Sequence, residues 1–102
     1  MANKGKMKKP TARREAADET TSSERLAALV EESVPLARIV AKNPSAPVSL
    51  LRALSRSEDE ATRKSVVLNP FAPYDVLSHL EEQFPELFLS NPALALYNSL
   101  KP

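Results

Sequence analysis

Few side chains in this sequence could do chemistry, and their spacing limits what they can do. His79 is the single histidine, set between Ser78 and Leu80 and followed by Glu81 and Glu82. A histidine beside carboxylates suits general acid–base work, but no nucleophile with a partner base surrounds it, so it reads as a solvated residue near a helix end. Glu81, Glu82 and Glu86 offer oxygens of the kind that hold hard cations. They lack the regular spacing of a calcium loop and read as a wet acidic surface. The run Ser55-Arg56-Ser57-Glu58-Asp59-Glu60 resembles an exposed, kinase-accessible loop, and a helix start capped by Ser57 with Glu60 accounts for it fully.

Composition removes most other chemistries. Among 102 residues there is no cysteine, one histidine and one glycine, Gly5. That excludes a disulfide scaffold, a thiolate metal site and a glycine-rich phosphate loop, and without a nucleophile signature around His79 the sequence offers no material for a Ser-His-Asp triad. The chain is therefore expected not to be an enzyme and to carry no cofactor or metal. No apolar run approaches the roughly 18 residues of a membrane span. Glu15, Asp18 and Glu19 follow the basic start too closely for an organelle transit peptide. A cytoplasmic protein without membrane association is the expectation, and the missing cysteines fit a reducing compartment.

The formal charge of +1 conceals a strong asymmetry. Lys4, Lys6, Lys8, Lys9, Arg13 and Arg14 make residues 1–14 wholly basic, whereas residues 65–100 contain no Lys or Arg and carry Asp75, Glu81, Glu82 and Glu86. Residues 1–20 hold almost no large apolar side chain and cannot offset chain entropy, so they read as a disordered basic leader. Its cations are suited to nucleic-acid phosphates without sequence preference, since no aromatic lies among them for base stacking.

Order is expected from residue 21, giving an α-helical repeat domain over 21–102. Thr21 and Glu24 have the form of a capping box, and Leu26, Leu29 and Val30 follow at helical spacing until Val34-Pro35 ends the helix. Asn43-Pro44-Ser45-Ala46-Pro47 recurs 26 residues later as Asn69-Pro70-Phe71-Ala72-Pro73, and a third Asn-Pro stands at Asn91-Pro92. The flanks recur with it: Leu26 and Leu29, Leu51 and Leu54, then Leu77 and Leu80. This is an internal repeat. Each Asn-Pro ends a helix, because proline clashes with the preceding turn, while Pro47 and Pro73 suit the first turn of the next. Asp75 falls in that first turn, where it favours the helix dipole. A helix of about 8–12 residues, a proline turn and a short helix form the unit.

These residues resemble the leucine-rich repeat variant family, whose units carry Asn-Pro-x-x-Pro followed by Leu-x-x-Leu. Asn43, Pro44, Pro47, Leu51 and Leu54 match one unit, and Asn69, Pro70, Pro73, Leu77 and Leu80 the next, the likeness covering roughly residues 25–92. The resemblance implies an all-α fold, a short right-handed helical solenoid of about three repeats in which α-helices alternate with short or 3₁₀ helices. The iron–sulfur cluster of the family's best-known member cannot be carried over, because this chain has no cysteine.

The pattern breaks toward the end, where Asn91 follows Asn69 by only 22 residues and Ala95 replaces the second proline. Leu94, Leu96, Tyr97 and Leu100 are an apolar finish to a fold that ordinarily closes with a polar cap. They fold back as a lid, or they dock on a partner or a second copy. Phe71, Tyr74, Phe84 and Phe88 cluster on both sides of the third short helix and read mainly as core. Phe71 stands where the previous repeat has Ser45, which makes it the aromatic most suited to face a partner. The expected function is a protein–protein adaptor whose binding residues include Phe71, Asp75, Glu81, Glu82, Leu96 and Tyr97. The alternative is nucleic-acid association through Lys4, Lys6, Lys8, Lys9, Arg13 and Arg14.

Overall fold

A computed structural model of the chain describes residues 11–94, and among them every regular element is an α-helix. Seven are formed: α1 (Ala12–Ala17), α2 (Ser23–Glu32), α3 (Val34–Lys42), α4 (Val48–Leu54), α5 (Glu60–Leu68), α6 (Tyr74–His79) and α7 (Pro85–Ser90). Residues 92–94 begin another helical turn.

Local signals set the boundaries. The side chains of Thr11, Ser22, Ser33 and Asp59 each accept the backbone N–H three residues on, which satisfies donors that an α-helix start leaves orphaned. Two capping expectations are corrected by one or two positions. Ser22, not Thr21, caps α2, and the Thr21 hydroxyl instead donates to the Glu15 carbonyl, 2.7 Å away. Asp59 caps α5, while Ser57 Oγ accepts from the Asp59 amide. A carboxylate is the stronger acceptor of the two, and Thr62 gives it both its amide and its hydroxyl. Pro47 and Pro73 stand at the N-caps of α4 and α6, just outside the first turn expected for them.

The helices stack in order. α1 packs on α3, α3 on α5 and α5 on α7, and this row is covered by a second formed by α2, α4 and α6. Leu26, Leu51 and Leu77, with Leu29, Leu54 and Leu80, are buried between the rows at the same place in successive units. Val40, Val66 and Phe88 meet them from the first row. The expected Leu-x-x-Leu register is thus the core of a helical solenoid, and its short helices are α-helical.

One boundary is corrected. The composition predicts a disordered leader to residue 20, but residues 11–20 are structured, and α1 occupies the place of a first repeat helix. Hydrophobic patterning misses α1 because it has no large apolar residue. Ala16 is small enough to lie fully buried against the neighbouring helices, and the Asn43 side chain bonds the carbonyls at the end of α1.

Candidate interaction surfaces

The repeated turn supplies the scaffold. Asn43 Nδ2 donates to the carbonyls of Ala16 and Asp18, at 2.9 and 3.0 Å. Asn69 does the same to Ala41 and Asn43, at 2.9 and 3.0 Å, and Asn91 to Val67 and Asn69. Each amide oxygen then accepts the backbone N–H two residues on, from Ser45, Phe71 or Ala93. The buried asparagines therefore do more than end helices: they bind each turn to the one before it. Asp18 takes the same position in the first turn, accepting from the Thr20 amide and hydroxyl, which holds its pKa below the usual carboxylate value. No buried side-chain nitrogen or oxygen among the described residues lacks a partner.

The turns hold up the expected partner residues in different ways. Phe71 sits two residues after Asn69 with its amide bound back to that side chain, and the residue is 66% exposed. Tyr74 and Val48, at equivalent starts of α6 and α4, are exposed as well. Of the four aromatics expected to cluster, Phe88 is buried, Phe84 half-buried and Tyr74 set edge-on to Phe88 with ring centres 6.5 Å apart.

Asp75 is not a free acid. Arg52 Nη2 donates to its Oδ2 at 2.5 Å, joining α4 to α6, and Arg52 holds its pKa below the ordinary value. Glu81 and Glu82 are exposed, as is His79. No group of three His, Cys, Asp or Glu able to hold a metal gathers among the described residues. Leu96 and Tyr97 lie outside the described residues, as do Lys4, Lys6, Lys8 and Lys9. Arg13 and Arg14 are exposed on α1 and so belong to the folded repeat array, not to a tail.

Two features escaped the sequence reading. The first is a set of ion pairs between helices, Arg25 with Glu15 inside the first unit and Arg38 with Asp59 across to the next, both closed at 2.8 Å. They join positions ten and 21 residues apart, beyond the reach of helical spacing rules. The second is a pair of grooves on the outer side of the first row. One, of about 390 Å³, is lined by Arg38, Ile39, Lys42, Ala61 and Ser65, with Ala17, Asn43 and Pro44 at its end. The other, of about 530 Å³, is lined by Lys64, Leu68, Phe84, Pro85 and Leu87, with Gln83 and Glu86. They are related by the repeat: Arg38 and Lys42 in the first correspond to Lys64 and Leu68 in the second. The signal was in the sequence, since Arg13, Arg38 and Lys64 each stand five residues before the turn residue Asp18, Asn43 or Asn69.

No helix among the described residues is long and apolar enough to cross a membrane. The family model of the Leucine Rich Repeat Variant domain matches residues 10–66, more than half of the chain. That span begins just before α1 and takes in the first two linked turns. Neither a curated protein nor a solved structure matches the chain.

Proposed function

This chain belongs to the leucine-rich repeat variant family, and on that premise we propose that it is a non-enzymatic adaptor of the cytoplasm that binds another protein. One observation carries the reading. Phe71 holds a large aromatic side chain in water at a turn whose counterparts are Thr20, Ser45 and Ala93. A phenylalanine left 66% exposed adds little to the core, and its amide is fixed by Asn69, so the side chain is displayed on a rigid support. Exposed aromatics on pre-organised backbone are typical anchors of protein interfaces. Tyr74 and Val48 add exposed apolar surface, and Glu81 and Glu82 add negative charge beyond α6 for a complementary rim. Leu96 and Tyr97 belong to the same proposal as its extension past residue 94.

The test is capture of the tagged full-length chain from its native lysate with and without nuclease, beside the Phe71→Ser variant, which restores the residue of the preceding repeat. A defined protein that survives nuclease and is lost from the variant is the expected result. Recovery that collapses with nuclease would transfer the function to Lys4, Lys6, Lys8 and Lys9 with Arg13 and Arg14, and would end the adaptor reading.

A further inference from the structure

Charge is divided between the faces of the solenoid as well as along the chain. The first row presents Arg13, Arg38 and Lys64 at one position of successive helices, and Lys42 lies one turn further along α3. Arg38 is held by Asp59 and Lys64 by Glu60, but Arg13 and Lys42 are exposed and have no ion pair among the described residues. The row of cations ends at α7, where the same position is Glu86. The first groove has Arg38 and Lys42 in its lining and the second runs from Lys64 to Glu86, with floors that are apolar at Ile39 and Ala61 and again at Leu68 and Leu87. Grooves of this size hold side chains of a bound ligand.

We infer that the outer face of the α1–α3–α5 row binds an extended acidic segment of a partner protein, with carboxylates three residues apart and apolar side chains between them. The period follows from geometry. Packed helices stand about 8–10 Å apart, so equivalent cations recur at about that distance across the row. A segment in the extended polyproline II conformation advances about 3.1 Å per residue with three residues per turn, so every third residue returns to the same side about 9 Å on and meets the next cation, while the side chains between flank that line over the grooves. Arg13 and Lys42 give the segment unpaired charges to meet, and the acid at Glu86 sets the end of its acidic part. The apolar floors favour a peptide over a nucleic-acid strand, because phosphates and sugars leave such floors uncovered. This surface deepens the adaptor reading and rests on it.

The test selects binders from a library of random twelve-residue peptides on the full-length chain, then measures their affinity by fluorescence anisotropy. The expected peptides carry Asp or Glu at three-residue intervals with apolar residues between. Their affinity falls tenfold or more in the double variant Arg13→Glu/Lys42→Glu, falls less in Arg13→Gln/Lys42→Gln, and weakens as salt rises. Both variants keep the parent melting profile, since neither side chain is buried or ion-paired among the described residues. Enrichment without acidic spacing, or affinity unchanged by charge reversal, overturns the assignment. So does a single-stranded oligonucleotide that binds these cations more tightly than any selected peptide. Each of these failures leaves the adaptor reading standing, because the lysate capture with Phe71→Ser tests that separately.

Discussion

The side-chain amide of Asn69 donates to the main-chain carbonyl of Asn43, 3.0 Å away and one repeat earlier. The same bond runs from Asn91 to Asn69 and from Asn43 to Asp18, each at 3.0 Å, so the turns are tied in series along the solenoid. Each asparagine carbonyl also takes the amide three residues on, from Ala46, Ala72 or Leu94, so those of Asn43 and Asn69 use both lone pairs. The series stops at Asp18, whose carboxylate has no N–H to pass to an earlier turn. A short array of this kind needs such links, because every unit touches only its neighbours and the core between them is small.

Asn69→Ala removes two donors to buried carbonyls and the acceptor for the Phe71 amide. Leaving a buried polar group unpaired costs about 1–3 kcal/mol, so at least that loss is expected in denaturant unfolding. Asn69→Asp is the sharper comparison, since it keeps the acceptor and turns a buried donor into a charge facing two carbonyl oxygens. It should also destabilise, whereas Asp18→Asn should leave stability near the parent value. An Asn69→Asp variant as stable as the parent would remove the donor from the account.

Leu77 is fully buried between the helix rows. Leu77→Ala should cost about 2–5 kcal/mol, the usual range for such a deletion. In a domain of this size that lowers the melting temperature by roughly 8 °C or more. An unchanged melt would mean that the leucine register is wrong.

The repeat period was legible because one element does two jobs visible in sequence. Asn-Pro marks a chain reversal through the restrictions of proline, and Leu51, Leu54, Leu77 and Leu80 mark the buried face through helical spacing. What stayed hidden was set by contacts between units. α1 has no large apolar residue to announce it and is recognisable only once Asn43 is seen bonding its end. Asp75 looked free because its partner Arg52 lies 23 residues away on another helix. Of the expected partner residues, Phe71 was legible from its mismatch with Ser45. The grooves required knowing which helices stand side by side, which no local pattern states.

Removing residues 1–9 and removing residues 1–18 should have opposite outcomes. The first spares α1 and Thr11, whose hydroxyl caps it, and should leave the melt unchanged. The second deletes the buried Ala16, the Glu15 partner of Arg25 and both carbonyls that Asn43 binds, leaving that side chain's amide orphaned. It should unfold at distinctly lower temperature, which calorimetry on the two truncations would decide. Identical melts would return residues 11–18 to the leader.

Acid should weaken the fold through Asp59. Hydrogen bonds from the Arg38 guanidinium and from Thr62 hold its pKa well below the usual carboxylate value, and desolvation opposes them only in part. A depressed pKa in the folded state means that the unfolded chain takes up the proton first. The contribution of Asp59 is therefore complete above its unfolded value of about 3.9 and is lost as pH falls from there toward the folded value. Asp59→Asn retains an oxygen to cap α5 but has no charge for Arg38. Its melting temperature should lie below the parent's at pH 7, and the gap should narrow between about pH 4 and pH 2. Asp75→Asn should change in the same direction by less, because Asp75 is more open to water and its pair with Arg52 is more screened. A gap for Asp59→Asn that stays constant down to about pH 2 would show that the Arg38 pair adds nothing to stability and that Asp59 matters only as a cap.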